Sequence, residues 1–503
     1  MRVIKIENVS TYIRGRYIMN PFKGIINKKE RPIKILQYGE GNFLRGFILH
    51  MIDVANEKGF FDGNVAIVKP IKFGSLESFK EQDNTYTLSL RGKQDGKIID
   101  ESRIITCVGE VADCYSEYEK YEKLAELDSL EFVVSNTTEA GIVFDEEDKF
   151  DYAPPNTYPG KLTKFLFKRY TFFNGDASKG LVMLPVELIE NNGGKLKDCI
   201  LNYIKLWNLG ETFEKWIQNN NIFCNTLVDR IITGYPKEEE EMFNKLGYRD
   251  HLLDTGEPFA LWVIESDKDI SSRLPLDKAG MNVVFTNNLK PYRDRKVRLL
   301  NGAHTGTVLA AYLAGKDIVR ECMEDKLIRK YMEKLLFEEI GPTVQLPKEE
   351  VVAFTNSVIE RFENPFIRHS LLAIALNSVS KWKARILPSF RDSVKTNGHI
   401  PRLLTFSFAA LMAFYKTDVL EEGALVGKRG EETYKIMDDK EVLDFFSNNV
   451  NRIDNNELVQ KFASNQKFWG EDLTQYENFA EEVTIHLNNI QQNGMEATLE
   501  KLI

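Results

Sequence analysis

Cysteine is scarce. Cys107, Cys114, Cys199, Cys224 and Cys322 are scattered through 503 residues, odd in number and without a CxxC pair. That pattern excludes a disulfide framework and a thiolate zinc site, so a reducing compartment and no bound metal are expected. Long apolar runs are missing as well. The longest, near 308–314 and 403–415, fall short of the roughly 20 residues a membrane helix needs. The opening MRVIKIENVSTYIRGRY carries charges throughout and has no apolar core of a signal peptide. A cytoplasmic protein with no membrane contact is the expectation. There is no basic surplus either: a net charge of −9 argues against nucleic acid as a partner, while leaving room for a local basic pocket. No internal repeat or low-complexity linker interrupts the chain.

What is present is an ordinary globular composition, 43% hydrophobic and 28% charged, in a chain too long for one simple core. Two domains are expected: residues 1–288, an α/β dinucleotide-binding domain with an N-terminal extension and a hairpin insertion, and residues 289–503, all-helical. Residues 1–30 are mixed and basic, a stretch that wraps the surface or stays partly mobile. Residues 33–38 then read as a buried strand and 43–55 as a helix, with Gly39-Glu40-Gly41 between them. A strand, a glycine turn and a helix start form the context of a dinucleotide fingerprint, although Leu44 stands where its third glycine belongs. A plain tight turn fits these residues equally well. On the dinucleotide reading Gly39, Gly41, Asn42 and Phe43 meet the cofactor and Arg45 adds a cation near its phosphates, unless that arginine is simply solvated.

A second strand at 65–68 ends in Lys69-Pro70 rather than in the acid that would hold the ribose of NAD. NAD is expected and NADP is left open, since a lysine there suits the extra phosphate. Residues 85–92 and 97–108 alternate around a turn as a β-hairpin. A strand at 130–134 runs straight into SNTTEAG, and small polar residues at a parallel strand's carboxyl end make Ser135, Asn136, Thr137, Thr138 and Glu139 either cofactor contacts or a polar turn. Strands at 180–187, 261–264 and 283–285 complete this half, the last being the expected final strand. Asp229-Arg230 reads as a structural ion pair or as the border of a pocket.

From about Pro291 the pattern is helical to the end, including a helix over 431–447. It opens on KVRLLNGAHT. At about 100° per residue, Asn301 lies about 140° and His304 about 80° round an α-helix from Lys296. Asn301 and His304 share a face that the long stem of Lys296 can reach. Those three side chains suit acid/base work on an alcohol or ketone, and they equally suit a buried helix with a surface lysine and a core histidine. Gly302, Ala303 and Gly306 let another backbone or a flat ligand come close. Arg293, Arg295 and Arg298 stand near enough in sequence to lower the pKa of Lys296 by like-charge repulsion if any faces inward. Further on, Arg361, Arg368, His369, Lys381 and Arg385 supply cations for a substrate carboxylate, though each alone is an ordinary solvated charge.

GEGNFLRG, SNTTEAG, NTLVDRI, GEPFALWVIE, KVRLLNGAHT and RFENPF, taken in order, resemble the mannitol dehydrogenase family of polyol-specific long-chain dehydrogenases, from about residue 33 to the C-terminus. The resemblance implies an extended Rossmann domain followed by a helical domain, and zinc-independent hydride transfer with a nicotinamide cofactor. It places the family's lysine, asparagine and histidine on Lys296, Asn301 and His304, and substrate contacts on Asn192 and Asp229; Arg361 and Lys381 are added for an acidic sugar. Where mannitol dehydrogenases carry a second oxyanion-holding asparagine, this chain has Glu187-Leu188, which favours an acid-sugar subgroup. The expected reaction is reduction of a keto-hexuronate to a hexonate. Other sugar substrates of the family are the near alternative, and a nucleotide-binding protein without catalysis the distant one. Monomer and small homo-oligomer both stay open.

Overall fold

The computed structural model describes residues 28–138 and 140–503, together with a short antiparallel ribbon of Tyr12–Ile13 and Arg16–Tyr17. Most of the N-terminal extension expected over residues 1–30, and the cofactor contact expected of Glu139, therefore lie outside the described residues. The chain divides into two units. One runs to Arg91 and then spans Ile99–Leu289; the other comprises Gly92–Ile98 and Lys290–Ile503.

In the first unit six strands make one parallel sheet: β1 (Ile33–Tyr38), β2 (Asn64–Lys69), β3 (Val108–Asp113), β4 (Phe132–Ser135), β5 (Val182–Pro185) and β6 (Ile222–Phe223). Their spatial order is β6-β5-β4-β1-β2-β3. The chain thus steps outward from β1 to β3, returns, and steps outward the other way from β4 to β6. The reversal falls between β1 and β4, and an open α/β sheet opens its ligand crevice at such a point. Sequence explains the layers. Along these strands alternate residues face opposite sides: Ile35, Val65, Ile67, Phe132 and Val134 join one core, and Leu36, Ala66, Val68 and Val133 the other. Both faces are covered, which is why the strands read as unbroken apolar runs. Helices α1 (Asn42–Gly46) and α2 (Ile48–Glu57) pack on the first face; α3 (Tyr158–Phe172) and α4 (Asn192–Leu206) pack on the second.

Two expectations are corrected here. The helix expected over 43–55 is broken at Phe47, whose backbone (φ −116°, ψ −74°) turns the chain between α1 and α2. The second hairpin strand ends at Ile105, and Val108 begins β3, which pairs in parallel with β2. The hairpin, Tyr86–Gln94 and Lys97–Ile105, lies in a separate sheet beside Asp254–Gly256.

The second unit is helical. A π-helical segment, Lys296–Asn301, leads into α5 (Gly302–Leu313); α6 (Lys348–Phe362), α7 (Ser378–Arg385) and α8 (Arg402–Tyr415) follow. A helix apolar all round belongs in a core, and α8 is buried along nearly its whole length. Its Phe408 meets the rings of Trp382 and Trp469, each with centroids 5.0 Å away. Truncating such a residue to alanine costs about 3–5 kcal/mol. Where a helix over 431–447 was expected, a three-stranded antiparallel sheet ends at Ile436 (Leu420–Glu421, Ala424–Arg429, Glu432–Ile436), and the helix starts only at Lys440. The strand at 283–285 is therefore not the last. Among the described residues, no helix is long and apolar enough to cross a membrane.

Candidate active site

At the reversal point of the sheet, Gly39 adopts φ +116°, and its N–H donates to the Val68 carbonyl at 2.9 Å. A Cβ there would stand 3.2 Å from both the Asn136 carbonyl and a Leu44 methyl, so the position requires glycine. Gly41, at the start of α1, is different: a Cβ would meet nothing within 4 Å. The Asn136 N–H donates to the Tyr38 carbonyl at 3.2 Å, joining the loops after β1 and β4. Backbone with open space before it, at the switch point, fits the pyrophosphate of a dinucleotide.

The neighbouring side chains are mostly committed to the fold. Ser135 Oγ donates to Glu187 at 3.1 Å, while the Thr137 N–H and hydroxyl donate to its other oxygen at 3.0 and 2.9 Å. Glu187 is buried, and burial raises its carboxyl pKa against the pull of these bonds. Sequence reasoning met Glu187 only as a missing asparagine; the structure makes it the clasp of the β4 loop. Thr138, in the same loop, is held at φ +80°. Phe43, half-buried, stacks on Phe47 at 5.1 Å and packs against the core.

Arg45 is corrected too. It is buried, its guanidinium donates to the Leu252 carbonyl and to Asn42 Oδ1, and it lies 5.4 Å from the Tyr86 ring centre. It anchors α1, and Asn42 with it, and is not a phosphate cation. Lys69 also turns inward: its ammonium donates to the carbonyls of Ile71 (2.7 Å) and Phe73 (3.3 Å) and pairs with Asp113 at 3.1 Å. It shapes the loop after β2 and is not displayed for a ribose phosphate.

Asn192 is buried with every polar atom of its side chain used. Its Nδ2 donates to the carbonyls of Pro185, Glu187 and Thr226, and its Oδ1 accepts from the N–H groups of Gly193 and Thr226. The expected substrate contact is a backbone clasp. Asp229 ends its strand as a buried group. Arg230 beside it donates to the carbonyls of Glu257 (2.9 Å) and Gly46 (2.8 Å) and meets His50 Nδ1 at 3.1 Å. Burial pushes its pKa down to about 10.

In the helical unit, the π segment changes the arithmetic made for an α-helix. Hydrogen bonding from i to i+5 widens the turn by a residue, so Lys296 and Asn301 stand one π turn apart, on neighbouring positions of one face. His304 follows at i+3 from Asn301 on α5. Gly302 and Gly306 are met by protein, not by a flat ligand: a Cβ would stand 3.5 Å from the Arg385 carbonyl at Gly302, and 2.6 Å from Leu335 at Gly306. The His304 ring stacks on Phe362 at 4.2 Å and meets His369 edge-on at 5.3 Å. Its buried Nε2 has no hydrogen-bond partner among the described residues. Burial, then the neighbouring His369 and the cations Arg385, Arg361 and Lys381, hold His304 well below its ordinary pKa, so the ring is neutral.

Arg361 is buried at the end of α6, near His304, and Lys381 on α7 donates to the Ile374 carbonyl at 2.8 Å. Two of the arginines near Lys296 in sequence have acidic or aromatic neighbours. Arg295 lies 3.7 Å from Glu350 and 4.5 Å from the Phe354 ring centre, and Arg298 pairs with Asp392 and donates to Thr343.

One unit carries a nucleotide-type crossover, and the other an amine, an amide and an imidazole along one helical path, each a part that an oxidoreductase acting on CH–OH groups requires. Comparison with known proteins agrees. Residues 33–278 match the mannitol dehydrogenase Rossmann domain and residues 288–491 the mannitol dehydrogenase C-terminal domain. The chain belongs to the mannitol dehydrogenase family. It is 43% identical over 478 residues to altronate oxidoreductase of Enterobacter sp. (strain 638), covering 94% of this chain and 97% of that one. It is 42% identical, with the same coverage, to altronate oxidoreductase of Escherichia coli O7:K1 (strain IAI39 / ExPEC). A crystal structure of D-sorbitol dehydrogenase in substrate-free form shares the fold with a TM-score of 0.76 at 22% identity, covering 93% of this chain and 95% of that one. Pseudomonas fluorescens mannitol 2-dehydrogenase, in a ternary complex with NAD and D-mannitol, does so with a TM-score of 0.66 at 21% identity, over 96% of each chain.

Proposed function

We propose that the protein interconverts a keto-hexuronate and a hexonate, D-tagaturonate and D-altronate, with NAD(H) and without zinc. The observation that carries the reading is the π turn that brings Lys296 and Asn301 to one face with His304 after it. The altronate oxidoreductases that match along 94% of the chain support the choice of sugar. The inward turn of Lys69 withdraws the ammonium that had left NADP open, which supports NAD.

Gly39 and Gly41 bring backbone to the pyrophosphate, and the loop after β4, Asn136 and Thr138 included, borders the same crossover. A bound nicotinamide supplies the hydride. Lys296, as an ammonium, donates a proton to the carbonyl oxygen as that oxygen becomes an alkoxide; in the oxidative direction its neutral amine takes the alcohol proton. Asn301 donates its amide N–H to the same oxygen. His304, neutral, offers Nε2 to a neighbouring hydroxyl. A cationic acid and an amide donor cover the charge that a Lewis-acid metal would otherwise stabilise.

The test is oxidation of NADH and of NADPH by tagaturonate, fructuronate, fructose and a sugar phosphate, with and without a chelator. Tagaturonate with NADH is the expected best pair, unaffected by chelation. A preference for fructuronate, for an unmodified polyol or ketose, or for a sugar phosphate would move the enzyme to fructuronate reductase, mannitol dehydrogenase or sugar-phosphate dehydrogenase activity within the family.

A further inference from the structure

The surroundings of His304 hold positive charge that the helical unit leaves unbalanced. Arg385, the last residue of α7, lies with its backbone against Gly302. Among the described residues its half-buried guanidinium makes one hydrogen bond, a long one of 3.4 Å to the Thr305 hydroxyl. No carboxylate pairs with it among the described residues. One turn earlier stands Lys381, close enough to Arg385 for the guanidinium to disfavour its charge.

The acids of the region are committed elsewhere. Glu363 pairs with Lys93 and with Arg329. Glu360 accepts from the N–H groups of Asp95 and Gly96. Asp438, which acts on Lys381 only at a distance, accepts from the Tyr415 hydroxyl and the Val379 N–H. Burying a cation is expensive unless an anion and hydrogen bonds attend it. Here the described residues give Arg385 no anion and only the long bond to Thr305, and the neighbouring His304 Nε2 is left without a partner among them.

We propose that Arg385, with Lys381 beside it, forms a carboxylate-binding subsite next to His304, and that Arg385 is the residue by which the enzyme selects an acidic keto-sugar over its uncharged counterpart. The planar fork of a guanidinium matches a carboxylate with two parallel hydrogen bonds, which a hydroxymethyl group cannot accept. This rests on the acid-sugar reading given above. A phosphate ester would satisfy the same cations, so the test includes one.

The experiment measures kcat/KM of the full-length enzyme for a keto-hexuronate, the matching uncharged ketohexose and its phosphate ester, in wild type, Arg385→Gln and Arg385→Lys. Wild type is expected to favour the uronate. Arg385→Gln should lower the uronate-to-ketose ratio by about 100-fold, the scale of truncating one partner of a desolvated charge pair, through KM for the acid. Arg385→Lys, which keeps the charge and loses the fork, should recover part of that ratio. If wild type favours the uronate and Arg385→Gln keeps the same ratio, the subsite is wrong while the acid-sugar reading stands. If wild type favours the ketose or the phosphate ester, both are wrong. Should Arg385→Gln fail to fold, Arg385→Lys decides: a drop of roughly tenfold supports the fork, and an unchanged ratio overturns it.

Discussion

The two units solve their chemical tasks in opposite ways. Around the crossover of the parallel sheet, polar side chains are consumed by the fold: Glu187, Asn192, Arg45 and Lys69 each hold backbone in place, and what is left open is the backbone at Gly41. Around His304 the reverse holds, with the backbone closed in helices and an imidazole nitrogen and a guanidinium left underused. A dinucleotide carries the same phosphates whatever the reaction, so a rigid backbone cradle suffices. A substrate varies from enzyme to enzyme, and side chains left with spare capacity are how one scaffold is fitted to it.

The sharpest way to break this contrast is Lys296→Ala. Removing the proton donor should lower turnover by about 10²–10⁴-fold, the usual worth of general acid/base catalysis. NADH affinity, measured by fluorescence titration, should hardly move. Near-normal rates across pH would remove the role given to that amine. Next comes a pair of substitutions within the sheet unit. Asn192→Ala should destabilise the protein by about 2–3 kcal/mol, because it strands buried backbone groups, while leaving KM for the sugar unchanged in the enzyme that folds. Gly41→Ala, facing open space, should keep the thermal midpoint and weaken NADH binding about tenfold, as expected where a side chain intrudes between backbone and pyrophosphate. Equal effects on stability from the two variants would erase the distinction between clasp and cradle.

The smallest effect concerns pH. His304 titrates in the folded protein well below its ordinary value of 6.5, first because it is buried and then because of its cationic neighbours. Between the two values the unfolded chain binds the proton and the folded one does not. The stability involved is therefore fully present above about pH 6.5 and lost as pH falls below it. Denaturant melts of wild type and His304→Gln below that point should show the variant losing stability less steeply, by about one proton at most. A variant with the same slope as wild type would mean that His304 is protonated in the folded state.

Much of this architecture was legible because parallel strands buried on both faces announce themselves. ILQY, VAIV, FVV and VMLP could hardly be anything else, and the glycine turn after the first of them marked the crossover. Strand β3 was hidden because VGEVAD carries an acid at its centre and follows the hairpin directly, with only two residues between. The small sheet ending at Ile436 did leave a signal, Gly423 and Gly430 bracketing ALVGKR at positive φ, which the surrounding helical pattern masked. Side-chain duties were less readable. Arg45 finds its carbonyl 207 residues away at Leu252, and Asn192 joins strands whose closeness only the fold creates. The π segment was invisible in principle, since KVRLLN has the composition of any α-helix.

That segment ties the fate of the proposed catalytic group to chain length. A π turn holds one residue more than its α neighbours, so deleting a single residue such as Val297 would let the helix run straight. Lys296 and Asn301 would then stand at i and i+4 of an α-helix and keep their shared face, whereas the same residues, all retained but wound as an α-helix, would put them about 140° apart. In a lineage descended from such a deletion the protein would gain a sturdier helix and keep the pair, so the extra residue and the π turn that absorbs it are needed together.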